Sequence, residues 1–244
     1  MKGFTIFRHS LLLVLRNWQE ALRIGALPVL AVMLVGLLTI GPAGFAALQA
    51  EPETLDPALA SGVILTVLVG MVAMLVIVVN WHRFVLLEEY PGGWVPSLHP
   101  ALVLGYFGRF LLLSLLMSLA LFPVLFVVGL FGPASVIVLP IVMLGLTILF
   151  YRLAVILPAG AIGQPITLAQ AWEATKGSSP SILMAMLLLF LVNVVAQTVV
   201  TILALVVPIL ALALSLPVSV VLALAGVSIL TTLHGHYVEG RPID

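Results

Sequence analysis

Charged residues are scarce in this sequence. Lys and Arg number 9 and Asp and Glu number 9, so only 7% of the 244 residues are charged, against about 25% in an ordinary soluble domain. A soluble protein needs a charged surface, and so few charges cannot make one. The formal net charge is zero, which excludes the basic surface of a nucleic-acid-binding protein. Cysteine is absent, which excludes disulfides, thiol nucleophiles and thiolate metal sites.

Apolar residues make up 63% of the chain, a composition that indicates a polytopic membrane protein. A helix that crosses the hydrocarbon core of a bilayer needs about 20 mostly apolar residues. Six segments meet this requirement, so the sequence predicts an all-α fold in which residues 1–244 form a single membrane domain. The predicted transmembrane spans have these approximate bounds: 24–48, 58–80, 110–131, 134–157, 182–211 and 218–233.

Prolines mark the predicted starts of four spans, where the missing N–H would be unpaired in any case. These prolines are Pro57, Pro133, Pro180 and Pro217. Asp56 and Ser179 each precede one of them, and their side chains are predicted to cap the free N–H groups of the first turn. The last turn between spans is expected at residues 214–216, just before Pro217.

The basic residues indicate the orientation of the chain. With six spans, all nine lie on one side of the membrane together with both termini: Lys2, Arg8, Arg16, Arg23, Arg83, Arg109, Arg152, Lys176 and Arg241. The opposite side carries the acids Glu51, Glu53 and Asp56 and no base. Because cytoplasmic loops of membrane proteins are enriched in Lys and Arg, both termini are predicted to be cytoplasmic.

The spans group into three hairpins, each preceded by a cytoplasmic segment. Residues of about 4–23 repeat their apolar side chains at helical spacing, which predicts an amphipathic helix in the membrane interface. A second amphipathic segment covers residues 167–176, where Thr167 and Gln170 are predicted to form a capping box. Gly177 is predicted to end this helix in a left-handed conformation, as a left-handed stop. Whether the three hairpins are true internal repeats stays open.

Two short motifs carry a resemblance to a known group of proteins. They are residues 16–23 (RNWQEALR), before the first span, and residues 169–177 (AQAWEATKG), between the fourth and fifth spans. In these motifs and in layout the chain resembles the YciC-like six-span proteins and the membrane domain attached to some glycerophosphodiester phosphodiesterases. The resemblance implies a location in the bacterial inner membrane. It carries over no catalytic residue, since the phosphodiesterase domain itself is absent.

Neutral polar residues inside the spans are candidates for a polar path or for contacts between helices. Asn193, Gln197 and Thr201 follow one another at intervals of four, so they share a face of the fifth span. Ser114 and Ser118 have the same spacing on the third span. Hydrogen bonding between helices is the ordinary role of such residues. The alternative is the lining of a path for a polar substrate.

Charged residues on the predicted cytoplasmic side allow two further interpretations. Arg83 and Arg152 end the second and fourth spans at matching positions, with Glu88, Glu89 and Glu173 at similar depth. They could form ion pairs between hairpins, or the arginines could reach lipid phosphates. The full set of predicted headgroup or ion-pair contacts is Arg16, Arg23, Arg83, Arg152, Glu173 and Lys176.

No pattern in the sequence indicates catalysis or a cofactor. The five histidines are expected to be interfacial and solvated, and their spacing does not favour a metal site. We therefore predict a non-enzymatic integral membrane protein with an accessory or lipid-interacting role, no cofactor, and membrane lipids as partners. The main alternative is a small transporter or permease subunit that uses the fifth span, and an intramembrane enzyme acting on lipid is a further one. The sequence identifies no protein partner.

Overall fold

Helices account for all the regular secondary structure in the part of the chain that the structure describes. The computed structural model describes residues 2–49, 56–132 and 135–243, and these ranges contain no strand. The predicted turn residues 51–55 and Pro133 lie outside them. The helices are α1 (Lys2–Arg16), α2 (Trp18–Thr39), α3 (Gly41–Gln49), α4 (Pro57–Leu87), α5 (Pro100–Phe131), α6 (Ser135–Ala154), α7 (Ile156–Ala161), α8 (Leu168–Ala174), α9 (Ser179–Val206) and α10 (Pro208–Tyr237).

Six helical stretches within these ranges are long and apolar enough to cross a membrane. The prediction of an all-helical chain with six such helices is therefore confirmed. The stretches are Trp18–Thr39, Pro57–Leu87, Pro100–Phe131, Leu139–Ala161, Ser179–Val206 and Pro208–Tyr237.

The first predicted span is interrupted in the structure. Residues 24–48 were expected to form one helix, but α2 ends at Thr39 and α3 begins at Gly41. Gly41 has a φ of +67°, a left-handed conformation that glycine adopts without steric cost. The predicted helix over 4–23 is likewise divided at Asn17, whose Nδ2 donates to the carbonyl of Leu13 at 2.7 Å.

The last turn between spans lies at Val207 and not at residues 214–216. Val207 leaves the helical conformation (φ −138°, ψ 79°), which a following proline disfavours, and Pro208 stands in the first turn of α10. Pro217 lies inside α10. The prediction of a helix start at Pro217 was therefore wrong, because Pro208 offers the same local signal nine residues earlier.

The predicted helix caps have mixed outcomes. Asp56 Oδ1 accepts a hydrogen bond from the Ala58 N–H at 2.7 Å, which confirms that cap. Thr167 and Gln170 form both bonds of the capping box, at 3.2 and 2.8 Å. Gly177 has a φ of +76°, as expected for a left-handed stop. Ser179 is the first residue of α9 and caps nothing, since the N-cap position belongs to Ser178.

Neighbouring helices in the chain pack in pairs: α2 on α4, α5 on α6, and α9 on α10, while α1 packs against α9 and α10. We call one end of this bundle the basic end. It comprises α1, α7, α8, the C-terminal ends of α4, α6 and α10, and the N-terminal ends of α2, α5 and α9. The opposite half is the far end. The hydrophobic core lies at the basic end, with fully buried side chains that include Ile6, Val79, Trp81, Val155, Ile182, Ile229 and Leu233.

Candidate functional site

Polar side chains of α4 and α10 are buried together at the basic end. Trp81 Nε1 donates to Ser228 Oγ at 2.9 Å, and His82 Nδ1 lies 2.8 Å from Thr231 Oγ1. On the other side of the imidazole, His82 Nε2 lies 3.4 Å from the Tyr106 hydroxyl. Ser228 and Thr231 are three residues apart, so both face α4 from one side of α10. These pairings satisfy polar groups that would be costly to bury alone.

His234 continues this cluster towards the C-terminus. Its Nδ1 lies 3.0 Å from the Val155 carbonyl oxygen, and its Nε2 lies 3.6 Å from Glu239 Oε1. Arg241 pairs with Glu239 at 2.6 Å and also donates to the Leu86 carbonyl at 2.6 Å. The residues after α10 therefore fold back and join the ends of α4 and α10.

The expectation that all five histidines are solvated was wrong for His82 and His234, which are buried. Both sit where two or more helices converge, and each finds a polar partner on another segment. The signal available in the sequence was the group Ser228, Thr231 and Thr232 on the sixth span, which predicts a polar helix face but not its partners.

Helix α1 is joined to α10 by a buried hydrogen bond. The hydroxyl oxygens of Ser10 and Thr232 are 3.0 Å apart. Ile6, Ser10 and Val14 are spaced four apart along α1 and are buried, whereas Arg8 and Arg16 are exposed. The amphipathic pattern of α1 thus has its apolar face against the bundle.

Arg83 forms an ion pair with Glu89, six residues along the same segment, and the predicted ion pairs between hairpins stay a prediction. Glu89 also contacts His99 Nε2 at 3.1 Å, and Arg83 Nη1 donates to the Ala161 carbonyl at 3.2 Å. Partial burial alone would raise the pKa of Glu89, but hydrogen bonds and positive charge from Arg83 and His99 outweigh it and hold that pKa below its usual value. Glu88 ends α4 in a left-handed conformation.

Arg152 anchors the short helix α8 to the end of α6. Its guanidinium carbon lies 3.4 Å from the centroid of the Trp172 ring, and Nη2 donates to the Trp172 carbonyl at 2.9 Å. Its Nε donates to Thr175 Oγ1 at 3.3 Å. Glu173 pairs with Lys176 at 3.3 Å on the exposed side of α8. These contacts of Arg152 with the Trp172 ring and backbone were not predicted, and its contact with lipid phosphate stays a prediction.

An apolar groove of about 480 Å³ lies between α2 and α4. The loop before α5 contributes Val95, Pro96 and Leu98 to its lining. The rest of the lining is Leu27, Pro28, Ala31, Leu68, Val69, Val72, Ala73 and Val76. Arg23 is exposed and stands one helical turn before Leu27, so it lies beside the Leu27 end of this groove.

The predicted intramembrane polar residues do not come together around this groove. Asn193, Gln197 and Thr201 are exposed along α9, and Thr201 donates to the Gln197 backbone carbonyl at 2.8 Å. On α5, Ser118 is exposed and Ser114 half-buried. None of these five residues lines the groove.

Residues 2–49, 56–132 and 135–243 contain no group of three or more His, Asp or Glu side chains that could hold a metal ion. Comparisons with protein-family models, curated proteins and solved structures find no match.

Proposed function

We propose that this protein is a non-enzymatic, multi-pass protein of the bacterial inner membrane that binds membrane lipid in an accessory role. Its six spans form three hairpins, and α1 and α8 lie at the membrane interface. Both termini face the cytoplasm, because every basic residue then lies on that side. The resemblance of residues 16–23 and 169–177 to YciC-like proteins supports the bacterial location.

The groove between α2 and α4 is the observation that carries the lipid-binding role. Its lining is apolar throughout, which suits an acyl chain, and its volume falls within the range of ligand pockets. Arg23 is exposed one helical turn before Leu27, which lines the groove. A guanidinium binds phosphate with two parallel hydrogen bonds, so a phospholipid with one chain in the groove would bring its headgroup to Arg23.

Lipid retention after detergent extraction tests this role. We expect native mass spectrometry of the wild-type protein to detect retained phospholipid. Ala73→Phe should reduce retention because it fills the groove, and Arg23→Gln should reduce it because it removes the phosphate contact. Arg16→Gln is the matched control, since Arg16 is exposed at the same end but not at the groove. Equal retention by all four proteins would refute the groove as a lipid site.

Reporter fusions test the proposed orientation. A reporter active only in the periplasm should be active after Asp56 and inactive after Asp244. A periplasmic signal at the C-terminus would contradict the six-span topology.

The transport alternative has less support from the geometry. It needs a polar path beside the fifth span, whereas the groove is apolar and lies between α2 and α4. Asn193 and Gln197 instead face outward from the bundle.

A further inference from the structure

The two amides of α9 lack the hydrogen bonds that several other polar groups inside the spans form. Thr147 and Thr201 hydroxyls donate to the carbonyl four residues earlier, at 2.8 Å each. Asn80 is buried, and its amide donates to the carbonyls of Val76 and Ser97 at 2.8 and 3.0 Å. In contrast, the side chains of Asn193 and Gln197 are exposed and form no hydrogen bond within the described part of the chain.

These amides lie at a membrane depth where an unpaired polar group is costly. Asn193 is fourteen residues after Ser179, the first residue of α9, which places it about 21 Å along the helix axis. α9 has 28 residues and is about 42 Å long, so a hydrocarbon core of about 30 Å centred on it leaves about 6 Å of helix outside at each end. Asn193 and Gln197, at about 21 and 27 Å along the axis, then both lie inside the core. Acyl chains neither donate nor accept hydrogen bonds, and an unpaired amide there is costly. Something with matching donors and acceptors must cover this face.

Most residues of α9 after Leu187 are exposed, and one stripe through Gln197 within this wide face has alternating intervals of three and four. The stripe comprises Leu187, Phe190, Val194, Gln197, Thr201 and Ala204. This repeat averages 3.5 residues, which is the spacing of two helices that pack side by side with a left-handed crossing. Asn193 flanks the stripe next to Gln197. The same face of α9 therefore has both the geometry of a helix–helix seam and its unpaired amides.

A second copy of the chain fits this seam. All copies insert in the same direction, so a twofold axis between two of them runs along the membrane normal and brings two parallel α9 helices together. Residues of equal depth then meet, and Gln197 faces Gln197 of the other copy. An amide both donates and accepts, so two identical amides are complementary. We propose that this protein forms a parallel homodimer through α9, with Gln197 and Asn193 hydrogen-bonded across the interface.

Because the sequence contains no cysteine, single cysteines can report which face of α9 meets the other copy. Val194→Cys lies in the seam, and Val199→Cys, on the opposite side of the helix, is the control. The two valines have similar exposure, 44% and 57%, and both substitutions leave the amides intact. On oxidation in membranes we expect a disulfide-linked homodimer from Val194→Cys and monomer from Val199→Cys.

Replacement of the amides tests their part in the interface. Asn193→Leu with Gln197→Leu should raise the dimer dissociation constant in detergent, about threefold to thirtyfold for each hydrogen bond lost. Thr201→Val should leave it unchanged, since the Thr201 hydroxyl already bonds to its own helix. A wild-type protein that is monomeric in lipid vesicles by single-molecule photobleaching would overturn the proposal. So would equal cross-linking at both valines, or cross-linking of Val194→Cys to a different protein.

Discussion

The basic end and the far end of this bundle are stabilised in different ways. At the basic end, buried polar groups such as His82 and Thr231 are paired between helices, amid side chains with no exposed surface. At the far end, large apolar side chains such as Phe122, Leu205 and Ile209 are exposed. The far end nevertheless has polar contacts between α2 and α4, where Thr39 Oγ1 lies 3.1 Å from Thr66 Oγ1 and 3.3 Å from the Gly62 carbonyl oxygen.

The difference follows from the surrounding solvent. Acyl chains are as apolar as leucine, so the exposed side chains of the far end gain little from packing against one another. The basic end contains buried polar groups, and each needs a hydrogen-bond partner wherever water is excluded. Their pairing brings helices from both ends of the chain into contact. We therefore expect substitutions at the basic end to determine stability, and substitutions at the far end to have small effects.

Trp81→Ala should have the largest effect. Trp81 is fully buried and bonded to Ser228, and removal of a buried aromatic side chain costs about 3–5 kcal/mol. Phe122→Ala is the far-end control, because Phe122 is 70% exposed and its change should stay within about 0.5 kcal/mol. Unfolding by denaturant in detergent measures both. Equal destabilisation would remove the distinction between the two ends.

Gly3→Ala should have the next largest effect. A Cβ at Gly3 would lie 2.6 Å from the Ser181 carbonyl oxygen and 2.6 Å from Met184 Cβ, so α1 could not keep its present distance from α9. Overpacking of this kind costs about 1–3 kcal/mol. In the control Gly108→Ala the new methyl group has nothing within 4 Å, and the loss of glycine flexibility should stabilise α5 slightly. Thermal unfolding in detergent compares the two, and a Gly3→Ala protein as stable as wild type would place α1 away from α9.

Thr167→Ala should have a smaller and local effect. It removes one bond of the capping box, at a cost of about 0.5–2 kcal/mol to the start of α8. Amide hydrogen exchange should therefore accelerate over residues 168–174, while exchange in the core helices stays as in wild type. Unchanged exchange in α8 would show that packing of Arg152 on Trp172, and not the cap, holds this helix.

The contribution of Glu89 to the pH dependence of stability should be the smallest of these effects. The pKa of Glu89 is lower in the folded protein than its usual value, so the unfolded chain takes up the proton first as the pH falls. Stability from this carboxylate is complete above the usual pKa and is lost as the pH falls through the lowered one. Glu89→Gln should flatten this part of the stability profile. A profile that is the same in both proteins would show that Arg83 and His99 do not stabilise the carboxylate.

Features that depend on residues close together in the sequence could be predicted, whereas contacts between distant segments could not. The six apolar helices, the Asp56 cap, the capping box and the Gly177 stop all depend on residues within a few positions of one another. Ser10 and Thr232 are 222 positions apart, and no local pattern connects them. Pro208 and Pro217 offered the same signal for a helix start, and only the packing of α9 against α10 selects Pro208.

Cross-linking of α1 to α10 tests most directly whether the basic end joins the two ends of the chain. The hydroxyl oxygens of Ser10 and Thr232 are 3.0 Å apart, close enough for thiols at the same positions to form a disulfide. Because there is no native cysteine, a protein with Ser10→Cys and Thr232→Cys should form that intramolecular disulfide on mild oxidation. A protein with Ser10→Cys and Ser118→Cys should not. Free thiols at both positions of the first protein after oxidation would contradict the docking of α1 on α10 and with it this account of the basic end.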